Sequence, residues 1–471
     1  MRKDLDRMQD EFAAMRPHEF LPVPGNHLIA SSAKILGAPH VRAWIRRGLL
    51  AIVLLMSFRI LQFFPGMQYV QELWFAFCWL IFVLTYFPWK ISTGLRFSTF
   101  EVYLLVLMVA GILFPAWGAS REFGQPLIYG MLAERGVGTF GMWLLLLNAL
   151  RRRLITLADI EAALLVLAWG TFAIYCLMRL ALSPANFSSY GPGFIADSGD
   201  GTLIFKLPPY FILYGVVYYA LRGFRTRRLK YHALAAVLFL FGAVGLTERW
   251  LTVSMGLTVI IFLFRWRRIG QLVTSLSIFI LLTALGLFAA MVVRPQIVTS
   301  TAGKFGDAFS VISTGTAGTD NSANARLFES VRVLPYIRKH PLLGNGVLSN
   351  QWQGGGQQVL GGYFYGTDIG LVGITFSYGL FGLILFAWQY RFALRSASWL
   401  SSDAHSPLRD ATIGFLLFTA LNSLTTGLFL WYAEITLFFV TLLIAMKAEA
   451  QSLPSTKSRP QPAIAEGTGG E

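Results

Sequence analysis

Charge is scarce in this chain: 13% of its 471 residues are Asp, Glu, Lys or Arg, while 55% are hydrophobic and 15% aromatic. Soluble domains carry about a quarter of their residues as charges, so a soluble globular fold is excluded. Cysteine is scarcer still. Only Cys78 and Cys176 occur, both inside apolar stretches, which excludes a disulfide framework and a cysteine-based zinc site. No dinucleotide-binding or P-loop glycine pattern and no metal-ligand spacing is present, so no cofactor and no metal are expected. No internal repeat pairs one half of the chain with the other.

What the sequence does hold is long apolar runs. About twelve stretches of near 20 residues can each cross a hydrocarbon layer of roughly 30 Å as a helix. They lie near 48–65, 70–89, 98–116, 127–150, 158–182, 202–221, 231–247, 250–266, 270–293, 367–390, 410–427 and 431–447. The expectation is an all-α, polytopic membrane protein.

The formal charge of +15 acquires meaning only from its placement. One set of alternate short loops carries Lys90 and Arg96, then Arg151, Arg152 and Arg153, then Arg222, Arg225, Arg227, Arg228 and Lys230. The same set continues with Arg265, Arg267 and Arg268 and with Arg391, Arg395 and Arg409. The opposite short loops hold only Arg121 and Arg249. By the positive-inside rule both termini are cytoplasmic and the long polar segment 294–366 lies outside. The basicity is therefore topological, and nucleic acid is not expected as a partner.

The chain then divides into a cytoplasmic N-terminal tail (1–47), spans one to nine (48–293), a large outer loop (294–366), spans ten to twelve (367–447) and a disordered cytoplasmic tail (448–471). The first apolar run lies too far from the start for a secretory signal and reads as an uncleaved anchor. The outer segment 183–201, with Pro184, Gly191, Pro192, Gly193, Asp197 and Asp200, reads as a turn-rich cap.

Ionisable groups at membrane depth cost a few kcal/mol unless paired or hydrated, so the few present are informative. With this topology Arg59, Arg135, Arg179 and Lys206 all fall in the outer half, on the face that the charge bias otherwise depletes. Together with Arg249 and the loop arginines they suggest a bound anion. The alternative is that they snorkel, or pair with acids such as Glu72, Glu134, Glu248 and Glu434.

Within the outer loop, Asn321 and Ser322 are helix-capping residues, and Ala323–Arg338 has helical spacing. Leu327, Phe328, Val331 and Leu334 share one face, and Arg326, Glu329 and Arg332 follow on another. An amphipathic helix lying on the membrane is predicted, kinked at Pro335. Arg326 and Arg332 suit a phosphate or pyrophosphate, since the guanidinium fork donates two parallel hydrogen bonds; the same triplet could simply solvate the helix. His340 opens a turn running through Pro341, Leu342, Leu343, Gly344, Asn345 and Gly346, and Gly354–Gly356 reads as a linker. Asp368, at the outer mouth of the tenth span, is either a general base for a sugar hydroxyl or a helix cap.

With these residues in view, the chain resembles the superfamily of O-antigen ligases and polysaccharide polymerases, over about residues 230–445. The resemblance is carried by Arg326, by the run His340 to Gly346, by the span opening Thr367-Asp368-Ile369-Gly370 and by Tyr378-Gly379-Leu380-Phe381-Gly382, with Thr247-Glu248-Arg249 as the short outer turn. It implies a GT-C-like glycosyltransferase of the bacterial inner membrane, metal-independent, acting on a glycan carried by undecaprenyl pyrophosphate on the periplasmic side. Arg249 and Arg326 inherit roles at the lipid pyrophosphate, with Arg332, Arg338, Arg135 and Arg179 in support and Glu329 and His340 as further substrate contacts. Asp368 is the candidate base, backed by Glu329 and Glu248. Family ligases carry a His-Asn pair where this chain reads Tyr365-Gly366-Thr367-Asp368, which favours a polymerase of exopolysaccharide or O-antigen over a ligase. A flippase and a chain-length regulator of the same pathway are the candidate protein partners. A transporter of lipid-linked oligosaccharide is the reading from another class; it would show internal repeats and charges at the midplane.

Overall fold

In the computed structural model the described residues are 39–64, 66–92, 96–181, 195–197, 203–205, 208–245, 249–264, 269–293, 321–361, 364–400, 406–427 and 432–452, with isolated positions between. The chain divides into two compact units, Met1–Arg46 and Arg47–Glu471. In the first, the described residues from Pro39 are the opening turns of helix α1 (Pro39–Ser57).

Among the described residues the regular elements of the second unit are helices apart from one small hairpin. After α1 come α2 (Gln68–Ile81) and α3 (Phe87–Ser92), joined through a wide turn at Phe82–Tyr86, then α4 (Thr99–Phe123) and α5 (Leu127–Ala133). α6 (Thr139–Arg151) and α7 (Leu157–Ala181) follow. Strands β1 (Ile195–Asp197) and β2 (Leu203–Phe205) pair antiparallel, Ala196 opposite Ile204; β1 lies in the segment expected to form a turn-rich cap, and β2 takes the start of the stretch 202–221 expected to be the sixth span, whose helix begins only at Tyr210. α8 (Tyr210–Thr226), α9 (Leu229–Leu240), α10 (Arg249–Phe264) and α11 (Ile269–Val293) complete the first half. α12 (Asn321–Lys339), the short α13 (Gly356–Val359), α14 (Gly370–Trp399), α15 (Pro407–Asn422) and α16 (Ala433–Ser452) make the second.

Each stretch read as a span is wholly or largely helical. Among the described residues four helical segments are long and apolar enough to cross a membrane: Gln68–Ser92, Thr99–Phe123, Leu157–Met178 and Gly366–Trp399. Leu229–Ala243, Leu251–Phe262 and Leu276–Ala289 are apolar but shorter. The stretch 127–150 is not one continuous helix. It breaks between α5 and α6 in a tight turn at Arg135–Gly138, where two glycines and an ion-paired arginine interrupt the apolar run.

Local chemistry sets the helix ends. Ser98 caps α4 reciprocally: its hydroxyl accepts from Glu101 N–H at 3.3 Å and its own N–H donates to Glu101 Oε2 at 2.7 Å. Gly124, left-handed at φ 75, terminates the same helix. The core is strongly aromatic: Phe58 stacks on Phe211 at 4.9 Å, and Phe415 meets Phe439 at 4.5 Å. Buried charges are matched: Lys90 with Glu101 at 3.0 Å, Arg47 with Asp159 at 3.1 Å, and Arg225 with Asp410. Leu73, Leu80, Leu84, Val109, Leu177 and Ile384 face outward, as the flanks of a bundle in lipid must.

Candidate active site on the loop helix

α12 carries the predicted triplet. Phe328, Val331 and Leu334 are exposed along one side, the apolar stripe expected to meet the membrane. The opposite side, with Glu329, Val333, Tyr336 and Ile337 at helical spacing, packs on the protein. Val333 joins Phe364, Ile369 and Phe376 in a small core ringed by Phe123 and Tyr336. That core seats α12 on the mouth of α14; the helix runs through Pro335 without interruption.

Glu329 is the buried member of the triplet. Its Oε1 accepts from the Tyr365 backbone N–H at 2.9 Å, while its Oε2 is enclosed with no hydrogen-bond partner among the described residues. Burial pushes the Glu329 carboxyl up to about 7; the nearby charge of Asp368 pushes the same way, and the Tyr365 N–H with the guanidinium groups of Arg326 and Arg332 pull back. Asp368 stands in the turn Gly366–Ile369 ahead of α14, with Thr367 Oγ1 donating to its Oδ1 at 3.4 Å. The backbone of Thr367 is tied down by Gly427 N–H. Gly370, at φ 52, lies so close to the Leu424 carbonyl that a Cβ would overlap it. The turn is thus fixed from α15's far end, and a carboxylate pair within electrostatic reach of two arginines is held in place.

Arg326, Arg332 and Arg338 make no side-chain hydrogen bond or ion pair among the described residues. Arg135, by contrast, is gripped by both carboxylate oxygens of Glu72, and Arg59 pairs with Glu434 at 2.7 Å. Pairing with named acids therefore accounts for these two membrane-depth cations, and Arg135 is not a free phosphate ligand here. Arg249 heads α10 and Arg179 lies near the end of α7, but the side chains of both, and all of Lys206 and Glu248, lie outside the described residues.

The run His340 to Gly346 proves to be a clasp. α14 breaks at Gly379, φ 63. The bonds that Leu380 and Phe381 would make to Phe376 and Ser377 in an unbroken helix are both rerouted. Leu380 N–H donates to Pro341 O at 2.8 Å and Phe381 N–H to Leu342 O at 3.0 Å, while Phe376 O accepts from Asn345 N–H at 2.7 Å and Ser377 O from Gly346 N–H at 3.0 Å. On its other side the clasp meets α4 at Gly118, where a Cβ would come within 2.8 Å of Gly346 N, and Val347 N–H reaches Pro115 O at 3.3 Å. Gln125 and Arg121 complete the seam through Val347 O and Gly344 O.

Glu122 was not singled out from sequence, and Tyr378 entered only as part of a motif, with no partner assigned. Glu122 accepts from Lys339 Nζ at 2.7 Å and lies 2.9 Å from His340 Nε2, so His340 is oriented by a carboxylate. Tyr378 lies within electrostatic reach of Glu134. Both depend on partners from distant parts of the chain, and only the fold brings them together.

Fold and site together define a multispanning helical membrane protein that carries paired carboxylates and uncommitted arginines on a helix docked at the mouth of a span. Residues 234–387 match the family model described as O-Antigen ligase, a stretch that contains the clasp, α12 and Asp368. This region belongs to the superfamily of O-antigen ligases and polysaccharide polymerases. No curated protein matches the chain.

Proposed function

We propose that this protein is a polysaccharide polymerase of the bacterial inner membrane. It transfers a growing glycan from undecaprenyl pyrophosphate to a hydroxyl of a lipid-linked repeat unit on the periplasmic face. The observation that carries the reading is the combination on α12: arginines that make no ion pair or side-chain hydrogen bond among the described residues, beside a carboxylate pair, inside the stretch matched by the family.

In the reaction the acceptor hydroxyl attacks the anomeric carbon of the donor sugar. The bond from that carbon to the pyrophosphate oxygen breaks, a glycosidic bond forms, and the hydroxyl proton passes to a carboxylate. Asp368 is the base, and Glu329 exchanges protons with it. The departing pyrophosphate gains negative charge, which Arg326 and Arg332 stabilise as preorganised donors, with Arg249, Arg338 and Arg179 around them. No metal is needed where guanidinium groups supply that charge.

The test is incubation of purified protein with lipid-linked repeat units, following product length. Wild type yields a ladder; Arg326→Ala, Arg249→Ala and Asp368→Ala yield single units. Normal ladders from all three variants would overturn the site. A gene deletion separates the ligase reading: a polymerase mutant still attaches single repeats to the final acceptor, whereas a ligase mutant accumulates long lipid-linked chains.

A further inference from the structure

The stretch joining α12 to α14 is polar but carries no charge. From Pro341 to Thr367 there is no Asp, Glu, Lys or Arg, although the arginines of α12 stand on one side and Asp368 on the other. Within it Asn350, Gln351, Gln353, Gln357 and Gln358 surround Trp352 and three consecutive glycines. Exposed chain is usually rich in Lys, Glu, Arg and Asp; here amides and a large ring take their place.

The glycines do not make this stretch slack. Gln125 Oε1, just past the end of α4, accepts from Ser349 N–H at 2.8 Å and fixes where the turn starts. Trp352 N–H donates to Ser349 O at 3.0 Å, and Gly355 N–H to Trp352 O at 2.8 Å. Gly354 and Gly355 hold φ 74 and φ 71, and Gln353 before them holds φ 46, uncommon for a residue with a side chain. Val359 N–H and Leu360 N–H close α13 on Gly355 O and Gly356 O at 3.1 and 3.0 Å. A Cβ on Gly354 would overlap the Gln358 side chain, so that amide lies against the turn bearing Gln353.

This built turn is seated beside the carboxylate pair. A Cβ on Gly356 would come within 3.0 Å of the Phe364 ring, and Phe364 shares the small core of Val333 on α12 and of Ile369, next to Asp368. Gln351, Gln353 and Gln358 are exposed and Trp352 is half-buried; none of these four side chains makes a hydrogen bond or ring contact among the described residues. An amide both donates and accepts, which matches a hydroxyl, and the face of an indole packs on the C–H face of a sugar ring. An ionic ligand would find no opposite charge on the turn, whereas a chain of sugars finds both of its chemistries met. Because the backbone is already fixed, binding costs it little freedom.

We propose that the turn 349–359 binds the glycan chain: Trp352 stacks on one sugar ring, and Gln351, Gln353 and Gln358 hydrogen-bond to hydroxyls of that sugar and its neighbours. This rests on the function proposed above and adds the place where the sugar chain is held while its end reacts at the carboxylate pair.

The test is calorimetric titration of the full-length protein in lipid nanodiscs with oligosaccharides of a few repeat units, free of lipid and phosphate, released from the host's own surface polysaccharide. Wild type is expected to bind, with an affinity that changes less than about twofold between roughly 0.05 and 0.5 M salt. Trp352→Ala is expected to weaken binding about tenfold, and Trp352→Phe to retain most of it. Gln353→Gly suits the left-handed backbone and removes only the amide; binding is expected to weaken about threefold or more. In the transfer assay, Trp352→Ala is expected to raise KM for donors with long glycans by a similar factor while kcat stays within about twofold, which shortens the ladder. The proposal is overturned by absence of binding in wild type, by unchanged binding in a folded Trp352→Ala or in Gln353→Gly, by an affinity that falls steeply with salt, or by a fall in kcat with KM unmoved. Should Trp352→Ala melt early, Gln351→Ala and Gln353→Gly decide, since both side chains are exposed. Wild type that polymerises while these variants bind normally removes this surface and leaves the polymerase reading standing; wild type that binds as described but transfers no glycan does the reverse.

Discussion

Glu329 has one carboxylate oxygen bonded to a backbone N–H and the other enclosed without a partner among the described residues, so its proton governs what the loop helix can do. With its carboxyl pushed up to about 7, the proposed transfer should gain rate as pH rises towards 7 and level off above it, because proton acceptance requires the ionised pair. The stability sign is opposite. The folded state holds this proton more tightly than the unfolded chain, so stability falls as pH rises from about 4.5 through 7. Glu329→Gln keeps the acceptor for Tyr365 N–H and removes the buried charge. Thermal melting at pH 8 should show a gain of roughly 1–3 kcal/mol, with little change at pH 4.5, while transfer falls on the order of 10²-fold. Arg326→Lys keeps the charge but loses the two-pronged fork; kcat/KM should fall about tenfold or more, and less than in Arg326→Ala. The triplet Arg326, Glu329 and Arg332 was legible from i, i+3, i+6 spacing alone. That Glu329 would be its buried member was not, because that depends on Phe364 and Phe376 arriving from another element.

At the scale of elements, the clasp shows how a helix is broken at membrane depth without stranding its backbone. Four polar groups at the Gly379 break, the carbonyls of Phe376 and Ser377 and the N–H groups of Leu380 and Phe381, find partners in the run Pro341 to Gly346, which lipid could not supply. The geometry leaves no space. Gly346, at φ 85, lies where a Cβ would overlap the Pro115 carbonyl and the Ala119 nitrogen; Gly344, at φ 73, abuts Ser377 and Gly379. Gly346→Ala should therefore cost on the order of 2–4 kcal/mol and sharply reduce recovery of monodisperse protein in detergent, measured by fluorescence-detected size exclusion. His340→Ala removes a side chain and spares these backbone bonds, so its recovery should stay near wild type. The sequence identified the run as a turn and placed it correctly. Its role as backbone partner was hidden, since a proline inside α4 and a left-handed glycine inside α14 both lie in runs that read as ordinary apolar spans. The break at Arg135–Gly138 was hidden likewise: the hydropathy of 127–150 averages over it.

For the whole molecule, composition was enough to predict a helical membrane protein, and the helices fall where the apolar runs lie. Sidedness is a separate matter, set by where cations cannot pass during insertion. On the charge pattern, the segments bearing Arg151–Arg153, Arg222–Lys230 and Arg391–Arg395 are expected on one side of the membrane and α12 on the other. Gly366–Trp399 provides the sharpest test, because its 34 residues extend roughly 50 Å as helix, more than the hydrocarbon thickness even with a kink at Gly379. Exposed Gln351, before it, and exposed Arg395, near its end, must then lie on opposite faces. With Cys78 and Cys176 replaced by alanine, Gln351→Cys in spheroplasts should react with a membrane-impermeant maleimide. Arg395→Cys should react only after the membrane is opened. Labelling of Arg395→Cys in intact spheroplasts with Gln351→Cys protected would invert the topology and place the carboxylate pair in the cytoplasm, where lipid-linked glycan in the outer leaflet could not reach it. Labelling of both would mean that the segment does not cross at all.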